Sequence, residues 1–227
     1  MRLTPRDPRE TGREYALRTI KDNIIRLELA PGSLVSENEL AAQMGLSRTP
    51  VREALIDLAK VRIIEITPQK RSVVAYIDYD MVEEARFMRN VLECAAVELA
   101  CRKAGTDEIR RLESNVKLQR FHLDQGNYGC IMELDNQFHE MLFHISQKPQ
   151  VHAMIQQISI HFDRVRSMAL STVKDMKIVE DHERIVQALM ERDTQTARAV
   201  MEKHLNRYRF DEAAMRQAYP DFFAPDK

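Results

Sequence analysis

Residues 30–74 read APGSLVSENELAAQMGLSRTPVREALIDLAKVRIIEITPQKRSVV, and the order of signals within them decides the fold of the N-terminal part. Pro31-Gly32 stops whatever helix precedes it. Ser36, with Glu39 three residues later, is a capping signature that opens a short helix through Met44, and Gly45 closes it. A second short helix is expected from Ser47, with Pro50 in its first turn, where a missing amide hydrogen costs nothing. Beyond Val61 the pattern changes to IIEIT and VVAYI, two β-branched runs around the polar, basic turn PQKRS, which predicts a hairpin.

Upstream, Tyr15, Ile20, Ile24 and Leu27 recur at three- to five-residue steps, so a first helix is expected over Gly12 to Leu29. Helix, helix, glycine turn, helix and basic hairpin is the layout of a winged helix-turn-helix. The hairpin ends near Ile77, which divides the chain into a winged helix-turn-helix over 1–77 and a second domain over 78–227. A recognition helix needs charged or hydrogen-bonding side chains on its first turn, because base edges are reached from that end. Arg48 and Arg52 are four residues apart and share a face, so either guanidinium can grip a guanine edge or a phosphate, and Thr49 can add a phosphate contact. Lys70 and Arg71 at the hairpin tip are the expected second anchor, and double-stranded DNA is the expected partner.

From Asp78 onward the pattern is helical over about 78–104, 106–125, 127–146, 149–171, 175–192 and 194–217, punctuated by Gly105, Gly126 and Pro149. Asp107, Asn127 and Asp193 or Thr194 fall near the starts of these helices. Six such helices make an antiparallel all-α bundle with room for a cavity, so the fold class is mainly α. The closing PDFFAPDK reads as a frayed tail.

In MELDNQFHEMLFH, Asp135 and His139 are four apart and face the same way, with Phe138, Met141 and Leu142 as apolar neighbours. His182 and His204 lie on two later helices beside apolar residues at helical spacing. Three imidazoles and a carboxylate inside a bundle suit Zn, Ni, Mn or another divalent metal with positions left for water or a ligand. Spacing alone does not show that they converge, and a satisfied or surface histidine is the ordinary alternative at each position. His122, His144, His152 and His161 are read as surface or packing residues, and Arg164 and Arg166, near Asp163, are left open as cavity-lining candidates.

Residues 30–74 resemble the DNA-binding domain of GntR-type bacterial transcription regulators, whose most recognisable string is PG..L.E..LA...G.SRTPVREAL..L. The resemblance implies DNA contacts from Arg48, Thr49 and Arg52, with Ser47 and Glu37 fixing the helices. Two positions depart from the pattern: the glycine usual before the hairpin is Arg62, and the wing-tip arginine-glycine pair is Lys70-Arg71. Losing the tip glycine removes an easy positive-φ position while adding charge. Residues 78 to 210 resemble, more loosely, the FCD effector domain of the FadR-like branch, through R..LE at Arg89 to Glu93, D..FH at Asp135 to His139, the His182 helix and M..HL at Met201 to Leu205. That resemblance implies one metal ion on Asp135, His139, His182 and His204, and six helices point to its VanR-like subgroup. Arg89 is similar to an arginine that meets the carboxylate of small acidic ligands in relatives; an ion pair with Glu93, four residues on, is the equal alternative. The implied function is a homodimeric, ligand-responsive regulator on an inverted-repeat operator, with a small carboxylate metabolite as effector and repression relieved by it as the commoner pattern.

Composition sets the limits around this reading. Apolar residues at 44% and charged residues at 30% describe a chain able to bury a core rather than a disordered one. No run of about 18 uncharged apolar residues is present, and MRLTPRDPRETGREY lacks the apolar stretch of a secretory signal, so no membrane partner and a cytoplasmic location are expected. Net charge is −1, yet residues 1–75 hold thirteen basic against ten acidic side chains, and all seven histidines lie beyond position 120. Cys94, Cys101 and Cys130 form no CxxC pair and read as small buried hydrophobes. Two competing classes stand beside the regulator: a metal-dependent enzyme using the Asp/His3 set, against which no glutamate is placed as an obvious general base, and a structural DNA binder without ligand.

Overall fold

The computed structural model describes residues 1–67, 72–172, 177–206 and 212–224. By internal contacts the chain divides into two compact units: Met1–Val82 with Ile160–Ser167 and Phe210–Lys227, and Glu83–Ser159 with Met168–Arg209.

In the first unit, α1 (Gly12–Ile25) opens on a reciprocal cap in which Thr11 Oγ1 accepts from the Glu14 amide and Glu14 Oε2 accepts from the Thr11 amide. The helix ends four residues short of the expected Leu29, because Leu27 turns left-handed at φ 61°. α2 (Glu37–Met44) starts as its sequence predicts, with Ser36 Oγ accepting from the Glu39 amide, and stops at Gly45, whose φ of 65° is cheap for glycine. α3 (Arg48–Lys60) follows, with Ser47 at its N-cap position although the hydroxyl makes no capping bond. One stripe of α3, Val51, Ala54, Leu55 and Leu58, is buried against α1 and α2 together with Tyr15, Ile20, Ile24 and Leu40. Truncating Leu55 there to alanine costs about 2–5 kcal/mol by cavity formation.

The expected hairpin is present as β2 (Ile64–Glu65) and β3 (Ser72–Val74), but a third strand, β1 (Leu34–Val35), joins its far side in the order β1-β3-β2, all antiparallel. Leu34 faces Val73 and Ile64 faces Val74. Gly32, at φ 78°, packs under the Tyr76 ring so closely that a Cβ would lie 2.7 Å from it. The hairpin tip, with Lys70 and Arg71, lies outside the described residues.

Two further segments complete this unit. Ile160 joins its core, His161 Nε2 lies 2.8 Å from the Val61 carbonyl, and the buried Arg164 guanidinium donates to the carbonyls of Ala75 and Tyr76 at 2.6 and 3.2 Å. The C-terminal stretch is not frayed through Phe223. Pro220–Phe222 forms a short 3-10 turn, the Ile77 amide donates to the Phe222 carbonyl at 2.9 Å, and Phe223 is buried beside Tyr79. This order was illegible in sequence because the contacts join positions about 90 to 145 residues apart.

The second unit is helical. It draws on α4 (Tyr79–Lys103), α5 (Thr106–Asp124), α6 (Tyr128–Ile145), α7 (Pro149–Thr172), α8 (Lys177–Glu191) and α9 (Thr194–Asn206). The expected helix over 194–217 is described as α9 and α10 (Glu212–Ala218), residues 207–211 lying outside the described set. α5 packs on α6 and α8, and α8 on α9, around a core that includes Val97, Cys101, Leu112, Phe138, Leu142, Ile185, Leu189 and Met201. Cys94 and Cys101 are buried as expected, whereas Cys130 is half-buried.

Candidate functional site

Five helices bring polar side chains to one place inside the second unit. Asp135 and His139 sit one turn apart on α6, His182 is on α8 and His204 on α9, and one ligand atom from each lies within 4.8 Å of all the others. None of the four is more than 3% exposed. His204 Nε2 lies 3.2 Å from His139 Nε2 and 3.3 Å from His182 Nε2, while Asp135 Oδ1 is 3.6 to 3.9 Å from all three nitrogens.

The outward sides of His139 and His182 are also engaged, and this fixes which of their nitrogens faces inward. Asn115 Nδ2 donates to the Leu134 carbonyl at 3.1 Å, so its Oδ1 is the atom that accepts from Gln119 Nε2 at 2.7 Å. Gln119 Oε1 is then the acceptor 2.8 Å from His182 Nδ1, which must carry the proton and leaves the Nε2 lone pair pointing inward. His139 Nδ1 is in direct contact with Glu93 Oε2, which has the same consequence for His139. His204 Nδ1 lies 4.0 Å from Asp181 Oδ2. The Phe138 ring stacks on His182 with centroids 4.1 Å apart and walls that side.

The electrostatics agree with neutral rings at His182 and His204. Burial pushes His182 down to about 3, a drop that Asp135 offsets only in part. His204 is held well below the usual histidine value by burial and by its two imidazole neighbours. Burial would raise the Glu93 carboxyl, but the Arg89 guanidinium and His139 outweigh it and hold the group well below the usual carboxylate range. Two inward lone pairs and a carboxylate oxygen therefore converge on one point, an arrangement that demands positive charge between them. The separations of His204 Nε2 from the other two rings, 3.2 and 3.3 Å, suit ligands of one divalent ion: metal–nitrogen bonds of about 2.0–2.1 Å place ligand nitrogens roughly 3.0 to 3.4 Å apart. Histidine and carboxylate donors suit Zn, Ni or Mn alike.

Arg89, the ligand-contact candidate implied by resemblance, is buried on α4, and its Nε donates to Glu93 Oε1 at 2.6 Å. Gln119 was not foreseen from the sequence. Its signal is a polar residue in the inward stripe of α5, with Leu112, Asn115 and Val116. His122 is half-buried and His144 exposed beside Glu140, while His152 packs near Phe143.

At the other site, Ser47, Arg48, Thr49 and Arg52 are all exposed at the leading end of α3, whose opposite face is buried. Arg48 Nη2 reaches Glu37 Oε2 at 3.3 Å, tying α3 to the start of α2.

Residues 14–74 match the family of bacterial regulatory proteins of the gntR type, and residues 84–207 match the FCD domain. An HTH-type transcriptional regulator in an unstable DNA locus of Streptomyces ambofaciens is 34% identical over 95% of this chain and 91% of its own. The chain belongs to the GntR family of bacterial transcription regulators, in the branch that carries an FCD domain. The HTH-type transcriptional repressor RspR of Escherichia coli K12 is 30% identical over 98% of both chains. Among solved structures, E. coli McbR/YncC superposes with a TM-score of 0.81 at 22% identity, covering 92% of this chain and 99% of that one, which supports the fold. This GntR-family protein is thus a DNA-binding regulator with an effector domain, and not an enzyme. Among the described residues no helix is long and apolar enough to cross a membrane.

Proposed function

We propose that this regulator is a cytoplasmic homodimeric repressor that binds an inverted-repeat operator through α3 and senses a small organic acid at a metal-holding site in its FCD domain. The observation that carries the sensing half is the enclosed convergence of Asp135, His139, His182 and His204 from three helices. A divalent ion held by these four residues supplies a Lewis-acidic point to which a carboxylate can bind. Arg89 is assigned to the acid group of the ligand from the same interior. A ligand that favours one arrangement of the helices shifts operator affinity by its differential binding energy for the two states.

For the reading half, Arg48 and Arg52 take the base or phosphate contacts, Thr49 and Ser47 present hydroxyls beside them, and Lys70 and Arg71 anchor the wing. One α3 per half-site requires a two-fold operator, hence a dimer. Exposed apolar side chains support self-association: Phe87 and Val91, one turn apart on α4, are 67% and 50% exposed, and Met154 on α7 is 67% exposed. The test is fluorescence anisotropy with the DNA upstream of the protein's own gene and neighbouring operons, in the presence and absence of small carboxylic acids. Salt-dependent, sequence-specific binding that an acid alters is expected; binding indifferent to sequence and to every acid in metal-loaded protein would overturn the proposal.

A further inference from the structure

Glu93 and Gln119 lie outside the four-residue cluster, and each contacts one of its imidazoles from behind. Glu93, 3% exposed on α4, places one carboxylate oxygen on Arg89 Nε and the other against His139 Nδ1. Gln119, fully buried on α5, places its amide oxygen on His182 Nδ1 and is itself oriented by Asn115 and the Leu134 carbonyl. A buried carboxylate is costly unless hydrogen-bonded and paired, and here both conditions are met by a guanidinium on its own helix and a ring on another. The two imidazoles are thus backed unequally, one by an anion and one by a neutral amide.

We infer that Glu93 and Gln119 are positioning residues that fix the inward nitrogens of His139 and His182, and that Glu93, bridging Arg89 to His139, makes His139 the more strongly donating ring. The inference rests on the metal-site reading above and adds an ordering to it. A carboxylate accepting from Nδ1–H raises the basicity of the opposite nitrogen more than an amide oxygen does, so the two partners contribute unequally to metal affinity. It also connects the residue assigned to the ligand's acid group to a metal-holding ring through one side chain. Withdrawing Arg89 toward a ligand would leave Glu93 to interact more fully with His139.

The test uses the full-length protein, stripped with chelator and titrated with Zn2+ alone against a competing chelating dye. Wild type is expected to take up one Zn2+ per chain. Glu93→Gln should keep that stoichiometry and lose affinity by about 10- to 100-fold, with Gln119→Leu losing less. In the Zn2+-loaded protein the His139 Nδ1 proton should be the most deshielded imidazole proton in the NMR spectrum, and Glu93→Gln should move it upfield while leaving His204 in place, which loss of packing alone would not do. This wild-type spectrum decides the matter even if Glu93→Gln does not fold. Unchanged Zn2+ affinity in Glu93→Gln, or a His139 Nδ1 proton no more deshielded than that of His182, overturns the ordering while leaving the metal site intact. If wild type takes up no Zn2+, or Asp135→Ala takes it up equally well, the metal-site reading itself is overturned and the inference goes with it.

Discussion

The leading end of α3 and the cluster on α6, α8 and α9 both concentrate polar side chains, yet they treat water in opposite ways. Arg48, Thr49 and Arg52 stand in solvent, where charge costs little. Asp135 and the three histidines are sealed in the core, where each group must be matched and any mismatch costs several kcal/mol. The comparison teaches that reading and sensing fail differently: losing α3 side chains should remove function at constant stability, whereas losing cluster side chains should change both.

The largest effect should separate the two regions by metal linkage. Zn2+ at about a thousandfold over its dissociation constant should stabilise chelator-stripped wild type by about 4 kcal/mol. The same gain is expected in the Arg48→Ala/Arg52→Ala variant and none in His182→Ala, as read from thermal unfolding. Equal stabilisation in His182→Ala would break the contrast.

Acid should divide them next. In metal-free protein His182 and His204 are held neutral in the folded state, while in the unfolded chain they take up protons below about pH 6.5. The unfolded state therefore binds more protons, so stability falls as pH drops from about 6.5 toward the folded value of His182, about 3. Melting temperatures across that range should fall less steeply in His182→Phe than in wild type, and the α3 double variant should track wild type.

A smaller effect is expected at α3 itself. Each of Arg48→Ala and Arg52→Ala should weaken specific operator binding by about 1–3 kcal/mol if it removes a bidentate base contact, while urea unfolding stays within about 0.5 kcal/mol of wild type. A double variant that still binds its operator specifically would remove these residues from the reading role. The smallest effect concerns Arg62, which adopts a left-handed φ of 58° before β2, where the family pattern has glycine. Arg62→Gly relieves that strain against the greater freedom of glycine in the unfolded chain, and a net gain of up to about 1 kcal/mol is expected in urea unfolding.

Local chemistry was legible in sequence, and long-range chemistry was not. Ser36, Gly45 and Pro50 act through neighbours a few residues away, so α2 and α3 fall where their signals put them. Asp135 and His139 share a face by helical arithmetic, but their meeting with His182 and His204 depends on packing that no spacing encodes. β1 was missed because Leu34–Val35 is too short for alternation to show and pairs with β3 nearly forty residues later. Glu93 was visible as a partner for Arg89, since both lie on one helix, but its second contact, to His139, crosses to another.

The first unit is stitched from three stretches that leave the ribosome at widely separated moments. Its recognition element is synthesised first, Ile160 and His161 follow about a hundred residues later, and the strap from Pro220 to Phe223 is made about 145 residues after the Ile77 it pairs with. Nascent chains begin to fold as they emerge, so a message cut short after Asn206 would yield a protein displaying SRTPVRE without the closing piece of the body that supports it.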